Sequence, residues 1–176
     1  MIFRPGKVPG VFLIEPEKRE DSRGFFARTF CQREFAAHGL NPRVVQCNTS
    51  FNKRKGTLRG MHYQVAPHEE AKLVSCIRGA IYDVAVDLRP DSAAYKQYDA
   101  FELTAHNRLM AYMPEGVAHG YLTLEENTEV FYQMSEIYSP EHARGVRWND
   151  PAFGIAWPPG DRTIIERDQF YPDFVG

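Results

Sequence analysis

The sequence has no excess of charge of either sign: 21 Lys and Arg face 23 Asp and Glu, a formal charge of −2 over 176 residues. A duplex nucleic acid needs a concentrated basic face, so a nucleic-acid partner is not expected. A small phosphorylated ligand, which needs only a few placed cations, remains compatible. No apolar run approaches the roughly 20 residues that span a bilayer, and no membrane partner is expected. The opening Met1-Ile2-Phe3-Arg4-Pro5-Gly6 lacks the apolar stretch of a secretory signal. Cysteine is scarce: Cys31, Cys47 and Cys76 are scattered, odd in number and without a CxxC pair. That excludes a disulfide framework and fits reduced thiols in a cytoplasmic protein.

What is present points to β-structure. Aromatics make up 13%, hydrophobics 43% and charged residues 25%, and 13 Gly and 12 Pro punctuate the chain. Short strands separated by turns have this composition, and disorder of the whole chain does not. Candidate strands are 11–15, 25–30, 43–48, 57–64, 71–78, 80–87, 97–104, 108–113, 118–124 and 129–136. Arg78-Gly79-Ala80 reads as a hairpin turn, because glycine takes the positive φ such turns require. A short helix is expected over 32–38, stopped by Gly39. From Pro140 onward, Pro151, Pro158, Pro159 and Pro172 break the segment into turns and single helical turns. With no repeat, low-complexity tract or linker, residues 1–176 are expected to form a single closed or double-sheet β-domain.

Two stretches carry chemistry: Gly56-Thr57-Leu58-Arg59-Gly60-Met61-His62-Tyr63-Gln64, followed by Lys72 and Gly79, and Pro114-Glu115-Gly116-Val117-Ala118-His119-Gly120. They have the outline of the two cupin motifs. Metal-binding cupins carry a second His where this chain has Gln64, and a Glu where it has Lys72. An ammonium repels a divalent ion, and glutamine is a poor ligand beside imidazole, so no metal and no other cofactor are expected. Strand alternation puts Leu58, Gly60, His62 and Gln64 on one face and Arg59 on the other, unless a bulge at Gly60 intervenes. A histidine in a β-protein is ordinarily a hydrogen-bonded core residue. Lys72, however, heads Lys72-Leu73-Val74-Ser75-Cys76-Ile77, a run suited to a central strand, and a charge there must be paired or must face a wet cavity. Taken alone, Tyr132 reads as a core or interface aromatic and Asp168 as a surface carboxylate.

In order and spacing these residues resemble the dTDP-4-dehydrorhamnose 3,5-epimerase family, over about residues 11 to 172. The landmarks are Asp21-Ser22-Arg23-Gly24-Phe25-Phe26, Leu58 to Gln64, Lys72-Leu73-Val74, Arg78-Gly79, Asp83 to Arg89 and Pro114 to Gly120. They continue through Tyr138-Ser139-Pro140-Glu141-His142, Arg147 to Pro151, Gly154 to Pro158 and Asp168. The resemblance implies an all-β, cupin-type jelly roll (a sandwich or barrel with a few short helices), a homodimer, no metal and a nucleotide-sugar substrate. It implies epimerisation at C3, and at C5, of a nucleotide-linked 4-keto-6-deoxyhexose. By that likeness His62 removes the proton α to the ketone, Asp168 orients its imidazole, Lys72 stabilises the enolate and Tyr132 returns a proton to the opposite face. Tyr138 stacks on the base, while Arg23, Arg59, His119, Gln46, Asn48 and Arg167 contact diphosphate or sugar. A weak carbon acid yields to imidazole only if the developing oxyanion is stabilised, and a phenol serves as acid if its surroundings lower its pKa.

The chain departs from the family pattern at Arg28, Cys47, Gln133 and Ala143, positions expected among the nucleotide and sugar contacts. Base and sugar identity, and whether one or both carbons are epimerised, are therefore open. Two competing readings are a metal-dependent cupin oxygenase or isomerase and a sugar-nucleotide binding module without turnover. The first has Gln64 and Lys72 against it; the second leaves His62, Lys72, Tyr132 and Asp168 unexplained.

Overall fold

A computed structural model describes residues 1–175 and places thirteen strands and two short helices along them. In chain order the strands are β1 (Ile2–Pro5), β2 (Phe12–Glu15), β3 (Arg19–Asp21), β4 (Gly24–Phe26), β5 (Gln46–Asn52), β6 (Leu58–Gln64) and β7 (Lys72–Arg78). They continue with β8 (Ala80–Asp87), β9 (Tyr98–Thr104), β10 (Met110–Met113), β11 (Val117–Thr123), β12 (Thr128–Met134) and β13 (Ala143–Gly145). Helix α1 is Gln32–Ala37 and α2 is Glu166–Gln169.

A six-stranded sheet runs β1-β2-β10-β7-β12-β5, a five-stranded sheet runs β13-β6-β11-β8-β9, and β3 and β4 form a separate hairpin. Every strand pair is antiparallel. From β5 to β8 each successive strand switches sheets, and β10, β11 and β12 alternate again. This is the jelly-roll way of closing an antiparallel sandwich.

Alternation decides what lies between the sheets. Along β7, Val74 and Cys76 point inward to a core with Ile81, Ala85, Leu103, Val117 and Val130. Leu73 points outward, where Phe35 of α1 packs with Ile14, Met110 and Tyr112. On the far side, Met61, Val84, Val86 and Ala118 pack against Val146 and Phe153 of the C-terminal segment. The same inward rows carry Lys72 on β7, Asp83 on β8, His119 on β11 and Tyr132 on β12, so the apolar core gives way to a polar cavity.

The reverse turn after β7 follows expectation, with Gly79 at φ 76°. The structure differs at weakly patterned edges. Strand β5 lies three or four residues later than expected because Gln46, Asn48 and Ser50 alternate toward a wet cavity rather than an apolar core. The expected strand at 25–30 shrinks to Gly24–Phe26, in a hairpin that leaves Phe25 and Phe26 exposed. Strands β1, β3 and β13 are three or four residues long, too short for periodicity to reveal.

Candidate active site

The β6–β11 register resolves the conflict over Arg59. His62 pairs with His119 and Arg59 with Tyr121, so β6 spends one more residue than β11 over that interval. The bulge falls at Gly60, whose φ is 130°, and a Cβ there would lie 2.4 Å from the Cα of Gly120. Only glycine allows that approach. The extra residue turns Arg59 and His62 to the same side, and both line one cavity of about 710 Å³ between the sheets.

On the five-stranded side, His62 Nε2 faces Asp168 Oδ1 at 2.9 Å. Asp168 Oδ2 accepts the Gly60 N–H at 3.1 Å, and Arg167 Nε donates to Oδ1 at 3.3 Å. Burial alone would raise the Asp168 carboxyl, but the bonds from His62, Gly60 and Arg167 outweigh it and hold the pKa below the ordinary value. An ionised carboxylate only accepts, so the His62 proton sits on Nε2 and Nδ1 keeps the lone pair. Asp168 reaches this place because the chain before α2 lies beside β6: Leu58 N donates to Thr163 O at 3.0 Å, and Thr163 N to Gly56 O at 2.9 Å.

On the six-stranded side, Lys72 is buried with its Nζ 2.6 Å from Glu70 Oε1 and 3.2 Å from the carbonyl oxygen of His62. The ammonium thus crosses the gap between the sheets. Tyr132, opposite Asn48 on β5, lines the same cavity. Burial raises its phenol pKa, helped by the neighbouring Tyr121 phenol and Glu70 and only partly offset by Arg59 and Asn48. The condition of a lowered phenol pKa is not met: the ring is packed against the apolar core, so Tyr132 holds its proton.

The cavity wall also includes Gln46, Asn48, Arg59, His119, Tyr138 and Arg167. Gln46 Oε1 accepts the Tyr138 N–H at 3.0 Å, tying the exposed Tyr138 to the rim. Arg23 is not brought here. It sits on the β3–β4 turn, with its guanidinium on Asp21 and its side chain 87% exposed. Three of the four departures are also off the wall. Arg28 pairs with Glu34 at 2.6 Å, while Cys47 and Gln133 alternate away from the cavity-facing Gln46, Asn48, Tyr132 and Met134. Ala143 does line the cavity.

Gln64, where a metal-binding cupin has its second His, is 2% exposed. It spends its amide on His68 O at 2.8 Å and the Ser139 N–H at 2.6 Å. Among the described residues no three His, Cys, Asp or Glu side chains form a metal-ligating group.

Sequence reasoning missed Asp83 and Glu70. Asp83 Oδ1 lies 2.7 Å from His119 Nε2, a second imidazole–carboxylate pair on this cavity. Full burial raises the Asp83 carboxyl despite His119 and Lys72. Both acids alternate inward on, or just before, apolar strands; a carboxylate inside a run such as Ile81-Tyr82-Asp83-Val84 was the available signal.

An imidazole of one sheet backed by a helix carboxylate, facing a phenol and an ammonium from the other sheet, is the layout of an enzyme that moves protons at carbon. The scaffold is cupin-type, and the class is that of jelly-roll isomerases. A family model described as dTDP-4-dehydrorhamnose 3,5-epimerase matches residues 5–175. The dTDP-4-dehydrorhamnose 3,5-epimerase of Methanothermobacter thermautotrophicus is 44% identical over 170 residues, covering 95% of this chain and 91% of that protein. The crystal structure of the Elizabethkingia anophelis enzyme of that name superposes with a TM-score of 0.96 at 37% identity, over 99% of this chain and 96% of that one. The Bacillus anthracis enzyme, solved with TDP and PPi bound, gives a TM-score of 0.94 at 36% identity, over 98% and 99%. The chain belongs to the dTDP-4-dehydrorhamnose 3,5-epimerase family and is an isomerase.

Proposed function

We propose that the chain epimerises C3 and C5 of a dTDP-linked 4-keto-6-deoxyhexose, and that residues 1–176 act as one domain in doing so. The observation that carries this reading is the placement of His62 and Tyr132 on facing sheets around one cavity, with the Lys72 ammonium on the same wall and bonded to the His62 carbonyl. His62 Nδ1 takes the proton from the carbon beside the ketone, and the C–H electron pair moves into an enolate whose charge falls on the C4 oxygen. Asp168, bonded to Nε2–H, steadies the imidazolium that forms. Lys72 donates to the oxyanion. The enolate then takes the Tyr132 proton on its opposite face, which inverts the carbon and restores the ketone. The phenolate then recovers a proton from the water-accessible cavity and the His62 imidazolium releases its own to it, which resets both groups. A phenol kept protonated by burial suits an acid that acts only after a strongly basic enolate has formed.

Incubation with dTDP-4-keto-6-deoxyglucose in D₂O tests the reading, with NMR of each ring carbon. Deuterium at C3 and C5 with inverted products is expected; incorporation at C3 alone would reduce the enzyme to a single-site epimerase. With no incorporation, the proposed reaction is wrong. In Tyr132→Phe, deuterium exchange should continue with retained configuration, while inverted product falls by about 10²-fold. Equal loss of exchange and inversion would remove Tyr132 from the role of acid.

The homodimer is also proposed. Strand β1 is an edge of the six-stranded sheet, and Phe26 on the adjacent hairpin is 71% exposed, features that pairing with a second copy would cover. Such pairing is also a route by which Arg23 could meet a diphosphate in a neighbouring cavity. Sedimentation should give twice the chain mass at micromolar concentration, and a monomer there would rule the dimer out. Among the described residues no helix is long and apolar enough to cross a membrane. The free thiols of Cys31, Cys47 and Cys76 support a reducing, cytoplasmic setting.

A further inference from the structure

The Lys72–Glu70 ion pair leaves one acceptor unused. Glu70 stands just ahead of β7, its side chain 5% exposed, and Oε1 takes the Lys72 Nζ at 2.6 Å. Its other oxygen, Oε2, is buried with no hydrogen-bond partner, and the residue lines the catalytic cavity. A buried carboxylate oxygen without a donor is costly, so the position calls for a donor that arrives with the ligand. The ammonium is matched to it. Of its three N–H groups, one goes to Glu70 and one to the His62 carbonyl, which leaves one for a ligand oxygen. A free donor and a free acceptor therefore stand side by side on the same wall.

We propose that Lys72 and Glu70 together read an α-hydroxy ketone: Nζ donates to the ketone oxygen, and Glu70 Oε2 accepts from the hydroxyl on the neighbouring carbon. The inference rests on the reading that a 4-keto sugar occupies this cavity. In such a sugar the two neighbours of the ketone differ. C3 carries a hydroxyl, whereas C5 carries a methyl group and the ring oxygen. Glu70 thus decides which way round the ring lies and favours substrates that keep the C3 hydroxyl. When the C3 proton leaves, C3 becomes planar and its oxygen falls into the plane of the enolate, still beside the C4 oxygen. The Lys72 bond strengthens as charge falls on the C4 oxygen, whereas the Glu70 bond is kept through enolisation, so the Glu70 contribution is mainly to binding and appears in KM. Glu70 is also close enough for its charge to join burial in raising the Tyr132 phenol.

The test compares wild type and Glu70→Gln on the 4-keto sugar nucleotide and on its 3-deoxy analogue, reading deuterium incorporation at C5. Glutamine keeps the length and a carbonyl for Lys72 but turns a neutral N–H donor toward the cavity. On the hydroxylated substrate, kcat/KM should fall about tenfold or more, chiefly through KM. On the 3-deoxy analogue, where the variant alters only the hold on Lys72 and the charge near Tyr132, the loss should be at least fivefold smaller and should not appear in KM. Equal losses on both compounds, or no loss on the first, would overturn the inference. Independently of any variant, the wild type should bind the hydroxylated compound about tenfold more tightly than the 3-deoxy compound. Equal affinities would also refute it. If the wild type incorporates no deuterium from either compound, the proposed reaction itself fails and this inference with it. Normal exchange without discrimination sinks this inference alone.

Discussion

His62→Asn is expected to lower kcat by about 10³–10⁴-fold at both exchanging carbons, with little change in affinity for dTDP. Asparagine keeps a polar group near Asp168 but has no basic nitrogen to take a proton from carbon. The cavity holds a second imidazole, His119, so the comparison is informative. Its Nε2 is bound to Asp83 at 2.7 Å, and its side chain is 10% exposed against 34% for His62. The more open ring belongs to the pair whose carboxylate is held ionised by three bonds, while burial pushes the Asp83 carboxyl the other way. Deuterium wash-in with quenched time points measures both variants. A His62→Asn protein retaining a tenth of the wild-type rate, with His119→Asn inert, would move proton abstraction to the second pair.

Lys72→Ala is expected to cost about 10²–10³ in kcat, because the oxyanion loses its donor while most substrate contacts remain. It should also destabilise the fold. Glu70 would keep its buried carboxylate with neither oxygen paired, and breaking a buried pair from one side costs about 3–5 kcal/mol. For a domain of this size that is a fall of roughly 6–20 °C in Tm. The two effects separate in Lys72→Met combined with Glu70→Gln. Most of the Tm should return, since no buried charge is stranded, and the rate should not. Recovery of both would mean that Lys72 serves the fold and not the enolate. Calorimetry and turnover on the same preparations decide it.

Much of the fold was legible because the central strands are buried on both faces and read as apolar runs. Ala80–Asp87 was expected and observed with the same bounds, and the strands around it shift by no more than two residues. The edges were not legible, for a reason tied to function. Strand β5 presents Gln46, Asn48 and Ser50 to a polar cavity, so the apolar alternation that marks a half-buried strand is missing where the strand lines the site. The hairpin with Phe25 and Phe26 fails in the opposite sense, since those aromatics read as buried yet lie exposed.

For the site, His62 and Lys72 stood out in their own motifs, while Tyr132 and Asp168 came only with the family resemblance; all four line one cavity. The reversal of Arg59 was visible only as a possible bulge. Its cause is the close approach of Gly60 and Gly120, a contact between strands far apart in the chain. Arg23 could not be placed by spacing, because its landmark rides on a hairpin outside both main sheets.

By itself, the sequence determined an antiparallel β-protein with its strand periods, its family, and the residue types that proton transfer at carbon demands. The strand periods follow from short-range alternation, and the family and the proton-transfer residues from the resemblance that the motifs carry in their order along the chain. Only the tertiary structure decided that Asp168 closes on His62 from 106 residues away, that Glu70 holds Lys72 with one oxygen to spare, and that burial keeps the Tyr132 phenol protonated. Those outcomes depend on which groups are desolvated together when two sheets meet. Glu70 and Lys72 are close in sequence, but their shared burial, like the meeting of His62 with Asp168, is set by strands and turns that become neighbours only on folding.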